Sequence, residues 1–246
     1  MQVVSKFDML FDYIALKDTR MLMNRVIYFS FLIVMLTACA DDQDRLVRKA
    51  AKIHERMLTV DTHCDTPISI AMSDFDLGER HTEGCVDFPR MKEGGLDAEF
   101  FAVYTGQGPR NDSAFNAVYL SALDILDKIR RNVEKYPEMA GIATSPEDAF
   151  RLKREGKLSA FIGIENAYPL GKDICRVKTF YDLGARYITL SHTRNNDVCD
   201  SSTDPKGPEH NGLSEFGKEV VREMNRLGMM VDVSHISDKA FYDVLE

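Results

Sequence analysis

The feature that most constrains the fold of this chain is a repeated alternation of helix, glycine and apolar strand. Four times, an amphipathic helical segment ends at a glycine and an apolar run begins within a few residues. Regular alternation of this kind predicts βα units, in which helices connect parallel strands. Together with an apolar run that precedes the first unit, the pattern predicts five strands, within residues 58–67, 98–104, 159–164, 186–190 and 229–233.

Capping residues mark where the helices begin. Ser145 and Ser214 each stand at the start of a helical pattern, and Ser113 is expected to cap the long helix that follows it. An earlier helix is predicted over residues 43–57, from the spacing of its apolar positions. The acidic, glycine-containing stretch after Pro67 has no clear period, so a loop is predicted there.

Residues with metal-binding side chains follow the ends of four of these strands. They are His63, Asp65, Glu165, His192 and His235. In a (β/α)8 TIM barrel, the carboxyl ends of the strands form the catalytic site. The sequence therefore predicts an α/β fold, a TIM barrel of the metal-dependent-hydrolase type that is incomplete, with about five βα units. A doubly wound open sheet is the alternative, but no GxGxxG or GxxxxGK[ST] turn follows any strand.

The pair His63 and Asp65 gives the sharpest chemical indication. In an extended strand, residues two apart share a face, so both side chains can reach one ion. Imidazole nitrogen and carboxylate oxygen suit zinc or a similar divalent ion. Two ions that share a carboxylate can also share a hydroxide and polarise a carbonyl, which predicts hydrolysis. A serine hydrolase or a helix-borne zinc protease is disfavoured, because the chain has no GxSxG and no HExxH.

The composition and charge of the chain argue against a nucleic-acid-binding function. The chain has 246 residues, of which 44% are hydrophobic and 28% charged, as in ordinary globular proteins. Its formal net charge is −8 and its pI is about 5.3. Nucleic-acid binding needs concentrated Lys and Arg, so we expect no nucleic-acid partner.

The N-terminal region has the layout of a signal segment. A short basic region begins at Met23, an apolar run covers residues 26–36, and Leu-Thr-Ala-Cys follows. This ending resembles a bacterial lipobox and predicts that Cys39 is lipidated. Residues 1–38 are thus predicted to be a lipoprotein-type signal segment, and residues 39–246 a partial barrel domain.

Residues 1–20 lie upstream of the signal and are atypical for one, so the true start is expected at Met21 or Met23. A lipid anchor predicts a location in the bacterial cell envelope, outside the cytoplasm, on the periplasmic or outer-membrane face. Disulfides can form there, but the pairing of the remaining cysteines stays open. They are Cys64, Cys85, Cys175 and Cys199.

Several motifs occur in one order over roughly residues 45–246: VDTHCDTP, FPRMKEGGLDAEFFAVY, FIGIEN, LGARYITLSHTRNND and GLSEFGKEVVREMNRLGMMVDVSH. Taken together, they resemble the membrane (renal) dipeptidases, zinc enzymes with an amidohydrolase-like barrel. The resemblance implies that His63 and Asp65 hold a first zinc ion and that His235 holds a second. It implies that Glu165 bridges both ions. His192 resembles the family's non-ligand histidine, which contacts the substrate and stabilises the tetrahedral intermediate.

The resemblance also implies a class of substrate, and it shows two places where this sequence departs from the family. The family hydrolyses dipeptides, often with a D residue at the C-terminal position. Where it often has Gly-Gly-His after the bridging glutamate, this chain has Asn166-Ala167-Tyr168, so the pocket wall is expected to differ. The family continues through further βα units, which carry another histidine of the second zinc site. We therefore expect this sequence to be a C-terminally truncated fragment, inactive by itself.

Two other functions stay open. A different metal-dependent hydrolase on the same barrel could act on a lactone, a cyclic amide or a phosphoester, since fold alone does not fix the substrate. A non-catalytic binding lipoprotein could retain the barrel without turnover. A homodimer is also compatible with the sequence.

Overall fold

A computed structural model describes residues 23–24 and 42–246 of the chain. Two compact units are distinguished, Met1–Met57 and Leu58–Glu246. In the first, residues 42–56 form helix α1, as predicted, with an exposed apolar side. Cys39 and nearly all of the predicted signal segment lie outside the described residues. Within the described part of the chain, no helix has the length and apolarity needed to cross a bilayer.

The second unit is built on one six-stranded sheet in which every pair of neighbouring strands is parallel. The order along the sheet is β1-β2-β4-β5-β6. The sheet curls into an open half-barrel, which matches an incomplete TIM barrel. The strands are β1 (Val60–Cys64), β2 (Ala98–Tyr104), β3 (Ala140–Ile142), β4 (Leu158–Glu165), β5 (Ala185–Thr189) and β6 (Met230–Asp232).

All five predicted strands are confirmed, and β3 is an addition. It pairs with the first residues of β4, from Leu158 to Ala160, whereas β5 pairs with Ile162 to Ile164 further along. Since β2 occupies the other edge of β4, β3 and β5 share one edge in succession. Strand β3 has only three residues and no strong apolar run, so it cannot be recognised as a strand from the sequence.

Seven helices of the second unit connect and flank the strands within the described residues. Five of these seven α-helices come next in chain order after a strand, which is the expected βα order. They are α2 (Thr66–Met72), α3 (Phe88–Gly94), α4 (Asp112–Glu134), α5 (Pro146–Arg154), α6 (Cys175–Asp182), α7 (Glu215–Leu227) and α8 (Asp238–Leu245).

The capping predictions are confirmed for two helices and wrong for one. The side chains of Ser145 and Ser214 accept hydrogen bonds from backbone amides at the starts of α5 and α7. For α4, the cap is Asn111, whose side chain accepts from the Ala114 amide, and Ser113 lies inside the first turn. Asn111 has extended backbone angles, as an N-cap requires.

The predicted loop after Pro67 is also wrong at its beginning. Residues Thr66–Met72 form α2, with proline in the first turn. Proline is favoured there because the first helical amides have no partner within the helix. The short helix packs against β2 and α4.

The two faces of the sheet have different neighbours. The main core lies between the sheet and helices, where side chains such as Phe101 and Ile162 pack against Leu126 and Phe180. On the opposite, concave face, the rings of Phe100, Phe161 and Tyr187 stack with centroids 4.5 and 5.6 Å apart. Because residues two or four apart in a strand share a face, Tyr104 lies on the same side of the sheet as Phe100, and Glu165 on the same side as Phe161.

Candidate metal centre

Glu165 ends β4 and lies at the centre of the candidate site. Every residue of β4 is buried, and the Glu165 side chain is only 5% exposed. Because β4 pairs with β2 on one edge and with β5 on the other, this carboxylate belongs to the middle of the sheet. Burying a carboxylate costs free energy unless partners offset the loss of hydration. Three histidines surround it.

The first group of candidate ligands is His63, Asp65 and Glu165. His63 Nε2 lies 3.5 Å from Asp65 Oδ1 and 3.5 Å from Glu165 Oε2. His63 belongs to β1, whereas Asp65 precedes α2 and makes no side-chain capping hydrogen bond there. The Asp65 carboxylate is therefore available to a ligand. Each residue offers one ligand atom, and these atoms all lie within 4.8 Å of one another.

The second group is Glu165, His192 and His235, which meets the same distance limit. Both histidines place Nε2 3.4 Å from Glu165 Oε1, and their ring centroids are 4.3 Å apart. His192 follows β5, and the Tyr104 ring packs against it edge to face at 4.9 Å. His235 follows β6 in a left-handed backbone conformation, with φ of 68°. Such a conformation costs energy in a non-glycine residue and is common at functional sites.

The charges of the site stabilise one another in the absence of a cation. Burial alone would raise the pKa of Glu165, but contact with His63 and the charges of the other two histidines hold it below its ordinary value. Contact with Glu165 raises the pKa of His63 to about 9, against the opposing effect of burial. Burial lowers the pKa of His192. A metal ion at the first group would therefore displace a proton from His63.

The donor set fits two divalent ions. Glu165 presents Oε2 to the first group and Oε1 to the second, so one carboxylate serves both. Imidazole nitrogen and carboxylate oxygen are ordinary ligands for zinc. The structure therefore brings His63, Asp65, Glu165, His192 and His235 together, and each lies at the carboxyl end of a strand.

Asn166 braces the loops around the site, a role that sequence reasoning missed. Its backbone is left-handed, with φ of 76°, and its side chain is fully buried. Asn166 Nδ2 donates to the Thr105 carbonyl at 3.0 Å, and Oδ1 accepts from Asn196 Nδ2 and the Tyr168 amide. Tyr168 in turn donates its hydroxyl to the Pro109 carbonyl. The Asn-Ala-Tyr sequence after Glu165 thus ties together the loops that follow β2, β4 and β5.

Four cysteines were left without an assigned pairing by the sequence, and in the structure all four are free thiols. Cys64 is buried, as expected for a residue that points away from His63 and Asp65, and Cys199 is buried as well. Cys85 and Cys175 are exposed. The candidate site therefore contains no thiolate ligand.

Comparison with known proteins identifies the family of the chain. A family model described as membrane dipeptidase (peptidase family M19) matches residues 47–246. The chain belongs to the membrane dipeptidase family. The dipeptidase tcpJ of Claviceps purpurea is 37% identical over 167 residues, which cover 66% of this chain and 39% of that protein. Dipeptidase 3 of Mus musculus is 34% identical over 213 residues, covering 82% of this chain and 41% of that protein.

Solved structures of similar proteins show the same fold. The crystal structure of the probable dipeptidase PvdM from Pseudomonas aeruginosa superposes with a TM-score of 0.73 and 28% identity, over 82% of this chain and 52% of that chain. A metallopeptidase from Rhodobacter sphaeroides, solved with a phosphinate mimic of L-Ala-D-Ala, has a TM-score of 0.65 and 23% identity, over 76% of this chain and 61% of that chain. This membrane-dipeptidase-family chain therefore spans between about two fifths and three fifths of the length of these relatives.

Proposed function

We propose that this chain carries the metal-binding half of a zinc-dependent dipeptidase. One observation carries the proposal: the two oxygens of the buried Glu165 face two different ligand groups. Family membership and relatives named dipeptidases support a peptide substrate. When bound, two zinc ions supply a hydroxide at neutral pH and polarise the peptide carbonyl.

The residues of the chain have separate tasks in this proposal. His63 and Asp65 would hold the first ion, His235 would hold the second, and Glu165 would contact both. His192 contacts the substrate and stabilises the charge that develops on the carbonyl oxygen. Tyr104 packs against the His192 ring and limits its rotation. Asn166 and its partners keep the surrounding loops in place.

Glu165→Gln tests the proposal. An amide is a poor ligand, and the substitution removes a negative charge between two cations, so bound zinc and dipeptide hydrolysis are expected to be lost together. Zinc is measured by elemental analysis of purified protein. The chain spans only part of its relatives' length. Turnover is therefore measured on a completed chain, in which the C-terminal residues of a matching relative are appended after Glu246. It is also measured on the 246 residues alone.

Glu99→Gln is the matched control, since Glu99 is a second fully buried glutamate that belongs to neither ligand group. It is expected to retain zinc. Full zinc content in Glu165→Gln would overturn the proposal. Hydrolysis of a lactone or phosphoester without hydrolysis of dipeptides would assign the site to another hydrolase. Zinc binding by the completed chain with no turnover of any of these substrates would favour a binding lipoprotein.

We also propose that the mature protein is anchored in the cell envelope through a lipid on Cys39. The support is the Leu-Thr-Ala-Cys sequence after an apolar run, and Cys39 lies outside the described residues. Cys39→Ser is expected to move the protein from the membrane fraction to the soluble fraction. The control Cys85→Ser, which changes an exposed thiol, is expected to stay with the membrane. An intact mass that retains residues 1–38 without lipid would contradict this proposal.

A further inference from the structure

We propose that Tyr187 is a positioning residue that orients His63 for metal binding. This inference rests on the proposed function, because it concerns the first ligand group. The phenolic oxygen of Tyr187 lies 2.9 Å from His63 Nδ1, on the side of the imidazole away from Asp65 and Glu165. The two ligand groups consist of histidines and carboxylates, and the Tyr187 hydroxyl contacts one of these histidines on its other ring nitrogen.

The contact selects one tautomer of His63. His63 Nε2 faces the two carboxylates, so it is the nitrogen that would bind the ion. To do so, Nε2 must be unprotonated, and in the neutral ring the proton then resides on Nδ1. With an ion on Nε2, the Nδ1–H would then donate to the Tyr187 oxygen. Partners of this kind fix the ring orientation of metal-binding histidines.

The position of Tyr187 is itself imposed by the sheet. Its ring is buried and stacks on Phe100, with centroids 5.6 Å apart. It also lies across the backbone of β4 at Gly163, where a Cβ atom would overlap the ring. Gly163 thus provides the space that lets the phenol reach His63.

The hydrogen bond also crosses the concave face of the half-barrel. His63 belongs to β1 and Tyr187 to β5, and β2 and β4 lie between them. Three strand spacings in a flat sheet amount to about 14 Å. A 2.9 Å contact between these side chains is therefore available only in the curled sheet, and the bond holds the edge strand β1 toward the centre of the site.

Tyr187→Phe removes the hydroxyl and keeps the ring. Zinc affinity is measured by competition with a chromophoric chelator, and thermal stability is measured without metal. We expect the tightest zinc dissociation constant to rise about 10- to 100-fold, the usual effect of losing such a partner. Tyr136→Phe is the matched control, because it also loses a hydrogen-bonded hydroxyl, on Asp76, outside both ligand groups. Its zinc affinity is expected to equal that of the wild type.

Gly163→Ala provides a second, independent variant. It leaves the hydroxyl and His63 unchanged but displaces the ring, so it is expected to weaken zinc binding as well. Tyr187→Phe in the Gly163→Ala background is then expected to cause little further loss, since both changes break one contact. In Tyr187→Phe saturated with zinc, the Nδ1–H proton of His63, followed by NMR, is expected to exchange with water faster than in the wild type, because it has lost its acceptor.

The outcomes separate the inference from the proposed function. A wild-type chain that binds no zinc would overturn both. Wild-type zinc binding with an unchanged affinity in Tyr187→Phe would overturn the inference alone. Equal losses of affinity in Tyr187→Phe and Tyr136→Phe would also overturn it, because the effect would then follow stability rather than contact with His63.

Discussion

His192 and His235 lie at the same distance from Glu165, yet the proposed function gives them different roles. In the completed chain, His235→Ala is expected to lose the second zinc ion. His192→Ala is expected to retain both ions and to lose rate, by about 2.7 to 4 kcal/mol of transition-state stabilisation, as when an oxyanion-hole donor is removed. Zinc stoichiometry and kcat measured on the same preparations distinguish the two. Loss of zinc in His192→Ala would make it a ligand.

Glu99 is a buried acid whose carboxylate oxygens have no hydrogen-bond partner. Burial, assisted by the charge of Asp61, raises its pKa to about 8. Between its ordinary pKa near 4.5 and about 8, the unfolded chain loses the proton while the folded chain keeps it, so stability falls as pH rises through this window. The slope is about 1.4 kcal/mol per pH unit for one fully shifted proton.

Glu99→Gln is therefore expected to stabilise the protein at pH 7 by ~1 to 3 kcal/mol and to have no such effect at pH 4.5. The free energy of unfolding is measured by urea denaturation at both pH values. Glu219→Gln, on the exposed side of α7, serves as the control and is expected to change neither. A stability difference that is independent of pH would show that Glu99 is ionised in the folded protein.

For single residues, the sequence predicted the candidate metal ligands but not the residues that hold them in position. His63, Glu165 and His235 could be found because each lies at or just beyond the carboxyl end of a predicted strand. Tyr187 and Asn166 could not, since a tyrosine within a strand ordinarily indicates core packing and an asparagine after a strand ordinarily indicates a turn. Their roles depend on contacts between residues far apart in the chain, which only the curled sheet creates.

The helix caps give a direct test at the level of one element. Asn111→Ala removes the side chain that accepts from the Ala114 amide and is expected to destabilise the protein by about 0.5 to 2 kcal/mol. Ser113→Ala changes an exposed residue of the first turn and is expected to have a much smaller effect. Thermal denaturation of the two variants compares them. Equal losses would mean that α4 starts elsewhere in solution.

Elements with a long apolar period were predictable, and short ones were not. Strands β2 and β4 contain the apolar runs 100–103 and 160–164, which are typical of buried parallel strands. Helix α2 has only seven residues, too few to show a helical period, so the sequence predicts a loop after Pro67 even though proline also marks helix starts. The start of α4 was misplaced because Ser113 and Asn111 are both good caps, and the choice depends on backbone angles.

For the whole molecule, the outer edges of β1 and β6 are unpaired within the described residues. Val60 on β1 and Met230 on β6 are 46% and 51% exposed. Unpaired edges with apolar side chains promote association between chains. Val60→Lys and Met230→Lys are therefore expected to reduce self-association of the 246-residue chain, measured by sedimentation velocity over a range of concentrations.

Leu120→Lys is the control for these variants, because Leu120 is a more exposed apolar residue that lies on helix α4 and not at a strand edge. It is expected to leave the association unchanged. If it reduces association as strongly as the edge variants, general surface hydrophobicity is responsible and the strand edges are not.

The placement of the ligands along the sheet has a dynamic consequence. Glu165 lies on the central strand β4, whereas His63 lies on β1 and His235 follows β6, the two outermost strands. Outer strands open most readily, so their amides are expected to exchange with solvent deuterium fastest. Zinc bound by all three residues would slow exchange in residues 60–64 and 230–232 far more than in 158–165, as deuterium-exchange mass spectrometry can measure. Zinc binding and local opening of β1 and β6 would then be linked, because an ion that binds only the closed sheet lowers the population of the open one.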